Sequence, residues 1–168
     1  MRKNVLLSYK NISLLNIVVV LALVFSHQSN SLFNLEKSLS ILIETNQLPI
    51  YYFPFFIIVG LIVPIFLSLT RRKDLRFLIA INLYLYLMFS QIILEIVFTI
   101  LLGKGLGVII GLIYTLARLY QLQGLPSAAG PKNKFNVYFI ILFILWSVNL
   151  IQISYNRIIP LFFQLNLQ

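Results

Sequence analysis

The chain has 168 residues, of which 60% are hydrophobic and 10% are charged, and its mean hydropathy is +0.96. Soluble domains are usually about 45–50% apolar and about 25% charged, so a water-soluble fold of this length would leave a large apolar surface uncovered. The absence of cysteine excludes disulfides, thiolate catalysis and Cys-bound metal ions. The composition therefore predicts one integral membrane domain, 1–168, built from apolar helices of about 20 residues.

The net charge of +9 comes from 13 Lys and Arg residues and four acidic residues. The bases cluster at the ends of apolar segments, which is typical of topology determinants and of contacts with anionic lipid. We therefore expect no nucleic acid partner. The partners indicated are the lipid bilayer, including anionic lipid, and other membrane subunits.

The first predicted span lies near 12–27, after a basic start that includes Lys10. The same pattern is found in secretory signal peptides. However, the small residues expected at a cleavage site fit poorly around Val24 and Ser26, and Lys10 can reach the headgroups and lengthen the helix. An uncleaved span is favoured over a cleaved signal peptide, and both alternatives place the residues from 28 onwards outside.

A short amphipathic helix is predicted at 31–44, where leucine and isoleucine recur at helical spacing opposite polar residues. It would lie on the outer membrane surface or cover the mouth of the bundle. The second span, near 49–70, begins with an aromatic belt. Its two prolines, Pro54 and Pro64, predict a late start or a kink in this helix.

A basic hairpin separates the second and third spans. It contains Asp74, predicted as a counter-charge, and four bases that anchor topology and are candidates for lipid or partner contact: Arg71, Arg72, Lys73 and Arg76. The third span, near 75–102, would rise roughly 42 Å, so it must tilt or protrude into the headgroups. One of its faces should pack on protein and comprises Tyr84, Met88, Gln91, Glu95 and Thr99.

A tight outer turn is predicted at the glycine-rich 103–107, which lacks the Lys-Ser/Thr ending of a phosphate-binding loop. The fourth span, near 106–122, carries small residues in a spacing that permits close helix packing: Gly107, Gly111 and Thr115. A loop rich in Gly and Pro is predicted at 123–134. The fifth span, near 135–156, has Asn149 and Gln152 on one face near its outer end.

The distribution of bases predicts the topology. With five spans and the N-terminus on the cytoplasmic side, the positive-inside rule is satisfied by ten of the 13 bases. If 106–122 does not cross, the inner side holds only eight. The ten inner bases are Arg2, Lys3, Lys10, Arg71, Arg72, Lys73, Arg76, Arg118, Lys132 and Lys134, and the outer ones are Lys37, Lys104 and Arg157.

Few residues are suited to catalysis or metal binding. Glu95 is the single acidic residue within a span, so a paired-carboxylate mechanism has no second member. His27 is the only histidine, which excludes two-histidine metal motifs and leaves the serines without a base on a facing span. His27 is interpreted as a polar residue that ends the first span. We expect no catalytic residues and no metal site, and the sequence identifies no cofactor.

Glu95 and Arg118 are predicted to meet inside the membrane. A turn centred between Lys104 and Gly105 makes the third and fourth spans antiparallel, so Gln91 lies level with Arg118 and Glu95 lies roughly 6 Å further outward. Each charged side chain leans toward the N-terminus of its own helix, and the two therefore lean toward each other. The alternative is that Arg118 extends alone to the inner headgroups while Glu95 stays protonated.

The predicted fold is an all-α polytopic membrane helix bundle, with about five transmembrane helices and a short outer amphipathic helix, in a bacterial inner membrane or an organellar membrane. Its small size and missing catalytic set favour a non-enzymatic accessory or scaffold subunit of a larger membrane complex. The alternative is a small solute carrier or channel-type transporter, because polar residues inside a membrane are functional candidates. Its polar path would be lined by Gln91, Glu95, Arg118, Asn149 and Gln152.

Overall fold

The computed structural model of the chain describes residues 8–28, 52–102, 104–130 and 134–160. Of these residues 93% are helical and none lies in a strand, which confirms the predicted all-α class. The predicted amphipathic helix at 31–44 lies outside the described residues. The helices are α1 (Tyr9–Gln28), α2 (Tyr52–Ile57, π-helical Ile58–Ile62 and Val63–Thr70), α3 (Leu75–Leu102), α4 (Lys104–Ala129) and α5 (Asn136–Ile153, continued by π-helical Ser154–Ile158).

Among the described residues, three helices are long and apolar enough to cross a membrane, over Leu75–Leu101, Leu106–Ala129 and Asn136–Asn156. The apolar parts of α1 and α2 are shorter, Tyr9–Phe25 and Pro54–Thr70. A helix of about 17 residues rises about 26 Å, whereas the hydrocarbon core of a bilayer is about 30 Å thick. The structure therefore establishes three candidate spans, and the predicted count of about five is not confirmed.

Helix α3 lies at the centre of the bundle and packs against α1, α2 and α4, while α5 packs against α4 and the π-helical part of α2. Helix α3 is buried on two faces. One face, which includes Phe77, Ile81 and Tyr84, joins the core formed with α2, α5 and the end of α4. The other, which includes Leu83 and Leu87, joins the core formed with α1 and α4. A helix that is apolar on most of its circumference is suited to this central position.

Proline explains the irregular turn in α2. In a regular α-helix, the carbonyls of Val59 and Gly60 would accept hydrogen bonds from residues 63 and 64. Here the N–H of Val63 bonds instead to the oxygen of Ile58, five residues back, and Pro64 has no N–H to donate. The predicted disturbance at Pro64 is thus a π-helical turn, and it releases two carbonyl oxygens toward the neighbouring helices.

The hairpin before α3 is closed by Asp74. The Asp74 Oδ1 atom accepts a hydrogen bond from the N–H of Phe77 at 3.1 Å, and this N-cap satisfies one of the free donors in the first turn of a helix. The predicted bounds of the third span, 75–102, agree with α3 as the structure has it. Asp74 therefore has a helix-capping role that charge counting alone did not indicate.

The α3–α4 connection is shorter than predicted. Helix α3 ends at Leu102 and α4 begins at Lys104, so 104–107 is the first turn of a helix and not an outer turn. The predicted loop at 123–134 is also wrong in its first half, because α4 continues to Ala129. Leu125 and Ala129 are buried in the core, and this burial outweighs the hydrogen bond that Pro126 cannot donate. Gly130 ends the helix with a φ of 107°, a conformation that favours glycine.

Candidate functional site

The site is centred on Arg118, whose side chain has no exposed surface in the middle of α4. Its Nη2 atom donates a hydrogen bond of 2.7 Å to Oε1 of Gln91 on α3. Its Nε and Nη1 atoms are buried and have no hydrogen-bond acceptor. A buried arginine of this kind is costly, because burying a charge is repaid only by well-placed partners.

Aromatic rings enclose the guanidinium. The Cζ atom of Arg118 lies 3.9 Å from the ring centroid of Trp146 on α5 and 5.7 Å from that of Tyr84 on α3. A desolvated cation–π contact stabilises a buried cation by about 2 kcal/mol. The two rings are themselves joined, since Nε1 of Trp146 donates to the hydroxyl of Tyr84 at 3.0 Å. We call Arg118, Gln91, Tyr84 and Trp146 the arginine cluster.

Hydrogen bonds also connect the helices of the arginine cluster to the π-helical turn of α2. The hydroxyl of Tyr84 donates to the carbonyl of Gly60 at 2.8 Å, and the hydroxyl of Tyr138 donates to the carbonyl of Val59 at 2.5 Å. These are the two carbonyls that the proline-induced turn releases. Four helices, α2 to α5, are therefore connected by polar contacts around one buried cation.

Glu95 reaches the cluster indirectly. The Nε2 atom of Gln91 donates to Oε2 of Glu95 at 3.2 Å, while Oε1 of the same amide accepts from Arg118. The predicted register is correct in that Gln91 lies beside Arg118. The structure, however, links the two charges through Gln91 rather than by direct contact. An amide suits this position, because it can accept from the cation and donate to the carboxylate at once.

Small residues on α4 make room for these side chains. A Cβ atom at Gly111 would lie 3.9 Å from Oε1 of Glu95, an ordinary contact distance. A Cβ atom at Gly107 would lie 2.6 Å from Oγ1 of Thr99, a distance that real side chains essentially never show. The predicted close approach of the third and fourth spans is therefore present in α3 and α4, and of these two glycines Gly107 has less room for a side chain.

Asn149 and Gln152, the outer members of the predicted polar path, differ in their surroundings. The Nδ2 atom of Asn149 donates to Oγ1 of the buried Thr115 at 3.2 Å, which joins α5 to α4. Gln152 is half-buried and no hydrogen bond connects it to Asn149 or to the arginine cluster. The structure thus brings Gln91, Glu95 and Arg118 together and leaves Asn149 and Gln152 outside that group.

A second polar group, here called the asparagine cluster, holds α1 against α3 and α4. Asn16 donates from Nδ2 to the hydroxyl of Ser90 at 2.9 Å, and its Oδ1 accepts from the hydroxyl of Tyr114 at 2.5 Å. Three residues earlier on α1, Ser13 shares a hydrogen bond of 2.8 Å with Tyr86. The sequence interpretation did not identify this cluster, although two polar residues three apart in an apolar helix are a signal for it.

The basic hairpin lies between the end of α2 and the start of α3. Its bases, Arg71, Arg72, Lys73 and Arg76, are all exposed. The Cζ atom of Arg71 lies 4.8 Å from the ring centroid of Phe135, just before α5. The role of these bases in contacting lipid or a partner stays a prediction.

Within the described residues, no group of three His, Cys, Asp or Glu side chains lies close enough to hold a metal ion. No known protein family, curated protein or solved structure matches the chain. Function is therefore inferred from the geometry of the chain itself.

Proposed function

We propose that the chain is a non-enzymatic scaffold or accessory subunit of a larger membrane complex. The observation that carries this proposal is the complete burial of Arg118, which contacts α3 and α5 directly and is linked to α2 through the hydroxyl of Tyr84. A charge that is shielded from water on all sides holds its surrounding helices in one arrangement, because any separation would leave it without partners.

The same enclosure argues for a structural use of the buried polar groups. Gln91 accepts a hydrogen bond from α4, Tyr84 donates one to α2, and Trp146 donates one to α3. A general acid or base must reach a substrate, and a transport path needs polar groups that meet water. In the arginine cluster both requirements are poorly met, whereas helix fixation is well supported.

The outer surface offers area for other membrane subunits. On α1 the exposed large residues fall at helical spacing and form one stripe. A stripe of this kind is covered either by lipid or by neighbouring apolar helices. We propose that part of this stripe contacts other membrane subunits. The stripe comprises Leu14, Ile17, Val18, Leu21, Val24 and Phe25.

The proposed topology is multi-pass with the N-terminus on the cytoplasmic side. Contacts of Ser13 with Tyr86 and of Asn16 with Ser90 make α1 parallel to α3, and the hairpin at 71–74 makes α2 antiparallel to it. These directions are the ones that five crossings require. In this proposal the N-terminus and the basic hairpin share the positive, inner side.

Purification from native membranes in mild detergent tests the proposed role. A scaffold subunit should co-purify with other membrane proteins at a fixed stoichiometry, and the complex should dissociate when α1 stripe residues such as Ile17 and Leu21 are changed to Ala. Recovery of the chain as a single monodisperse species that retains no other subunit would contradict the proposal.

The second candidate is a small solute carrier or channel-type transporter with a polar path around Glu95 and Arg118. It is favoured by one observation, the two buried N–H groups of Arg118 that have no acceptor, because such donors suit an anion. The test is anion flux into proteoliposomes that contain the purified chain. Flux that disappears in Arg118→Gln and remains in the exposed control Ile93→Val would establish this candidate over the scaffold.

A further inference from the structure

Five exposed bases lie together where α2 ends and where α3 and α5 begin. Three lie in the connection between α2 and α3, the fourth, Arg76, lies in the first turn of α3, and the fifth, Lys134, comes just before α5. We call this surface the basic end of the bundle; its members are Arg71, Arg72, Lys73, Arg76 and Lys134. Spans at 75–102 and 135–156 were predicted from the sequence, but the adjacency of Lys134 to the hairpin was not.

Ring contacts hold the two parts of the basic end together. Arg71 stacks over Phe135 at 4.8 Å, and the ring of Phe135 lies 5.0 Å from that of Phe77 in the first turn of α3. The position of Lys134 beside the hairpin is thus fixed by packing of its neighbour. A concentrated positive charge results from two chain segments, and not merely from four bases that are close in sequence.

The acidic residue of the hairpin offsets one of these five positive charges, which leaves the basic end with a net charge of +4. Asp74 is the only acidic residue between Thr70 and Glu95, and its Oδ1 atom accepts from the N–H of Phe77. That N-cap directs the carboxylate toward the start of α3. Helix starts carry a partial positive charge; the start of α5 adds to the potential of the bases, whereas Asp74 offsets that of α3.

Exposed apolar side chains begin immediately beside the basic end. Leu69 is 57% exposed, Leu75 is 66% exposed and Val137 is 62% exposed. Bases that border an exposed apolar belt lie at the level of the headgroups when the belt is in the hydrocarbon core. This border favours a lipid over an acidic soluble protein as the ligand of the bases.

We propose that the basic end binds the phosphate groups of anionic phospholipids. Each Lys or Arg close to an anionic membrane surface increases affinity by roughly fivefold. Lipid binding at this surface would hold for a scaffold and for a carrier alike. Its failure would therefore leave either proposed function intact.

Lipid binding to the full-length protein, purified in detergent, can be counted by native mass spectrometry. The probes are dioleoylphosphatidylglycerol, which is anionic, and dioleoylphosphatidylcholine, which is zwitterionic. We expect the anionic lipid to bind more tightly, and the neutral variant Arg72→Gln with Lys73→Gln to weaken it by about 25-fold. The matched variant Arg72→Lys with Lys73→Arg keeps the charge and should bind as the unchanged chain does.

Both residues are exposed, so the variants should melt at the same temperature as the unchanged chain, and that measurement separates lost binding from lost folding. Equal affinity for the two lipids would overturn the proposal. So would unchanged lipid binding in the neutral variant. If the chain shows no preference for anionic lipid and the basic end retains an acidic protein, the ligand of these bases is a protein partner instead.

Discussion

Both polar clusters of the bundle attach helices to one another, but they use different chemistry. The arginine cluster buries a cation and connects four helices through aromatic rings and hydrogen bonds. The asparagine cluster contains only neutral groups and attaches one helix, α1, to two others. A neutral polar group can lose a partner at modest cost, whereas a buried cation cannot. The comparison therefore predicts that damage to the first cluster affects the whole bundle and damage to the second affects α1 alone.

The largest effect is expected from removal of the amide that contacts the cation. Gln91→Leu would leave Arg118 buried without its hydrogen-bond acceptor and should lower the free energy of unfolding by about 3–5 kcal/mol. Unfolding by sodium dodecyl sulfate in mixed micelles, followed by circular dichroism, measures this quantity. The exposed α3 residue Ile93, changed to Val, is the control and should change little.

Removal of the cation should repair part of that damage. In the background of Arg118→Met, Gln91→Leu leaves two apolar side chains facing each other, so the double variant should be more stable than Gln91→Leu alone. If the two losses simply add, Arg118 is not the reason that Gln91 matters, and the enclosed cation does not fix the helices.

The contact between α3 and α4 beside the arginine cluster offers the second largest effect. Gly107→Ala would put a Cβ atom 2.6 Å from Oγ1 of Thr99, and overpacking of this kind costs about 1–3 kcal/mol. Gly111→Ala is the matched control, because its Cβ atom would meet its nearest neighbour at 3.9 Å. Thr99→Ala should rescue Gly107→Ala. Equal losses at the two glycines would show that Gly107 is not packed more tightly than Gly111.

The released carbonyl of Gly60 gives a third test of the arginine cluster. Tyr84→Phe removes the hydroxyl that donates to this carbonyl, and an unsatisfied buried acceptor costs about 1–3 kcal/mol. Pro64→Ala restores a backbone N–H that can serve the same carbonyl. Thermal unfolding should therefore show a smaller effect of Tyr84→Phe in the Pro64→Ala background. The same loss in both backgrounds would mean that the proline-induced turn is not what the tyrosine compensates.

A double-mutant cycle measures how strongly the two charges are coupled through Gln91. Glu95→Gln and Arg118→Gln should each destabilise the protein, and the double variant should be less damaged than their sum predicts by about 1 kcal/mol. This coupling is small because the amide separates the charges. Strictly additive losses would favour the alternative in which Glu95 is protonated and independent of Arg118.

Hydrophobic periodicity and charge placement predicted the helices well. The bounds of α3 follow from a long apolar segment between a basic hairpin and glycines, and the level of Gln91 with Arg118 follows from the antiparallel geometry of two helices. The extension of α4 to Ala129 could not be predicted in this way, because Pro126 and Gly124 are strong breakers locally. Burial of Leu125 and Ala129 overrides them, and burial depends on neighbours that are distant in sequence.

The composition of the arginine cluster also could not be predicted from the sequence. Arg118 and Glu95 attract attention as charges within apolar segments, but Trp146 and Tyr84 resemble ordinary apolar residues of a membrane helix. Their role depends on which face of α5 meets α4 and on the turn that Pro64 imposes on α2. A tryptophan in the middle of a span does give one hint, since a buried Trp N–H usually needs an acceptor. That hint indicates a partner without identifying Tyr84 as the acceptor.

The smallest effect is expected in the asparagine cluster. Asn16→Ala removes the hydrogen bonds to Ser90 and Tyr114, and hydrogen bonds between membrane helices contribute about 0.6 kcal/mol on average. The hydrogen bonds of Asn16 attach α1, and no other helix, to the bundle. Amide hydrogen exchange in detergent should therefore become faster in α1 and stay unchanged in α3 and α4. The control is Leu14→Ala, an exposed position on the same helix, which should leave exchange in α1 unaltered. Faster exchange throughout α3 and α4 would mean that α1 is part of the same cooperative unit as the arginine cluster, and the distinction between the two clusters would then fail.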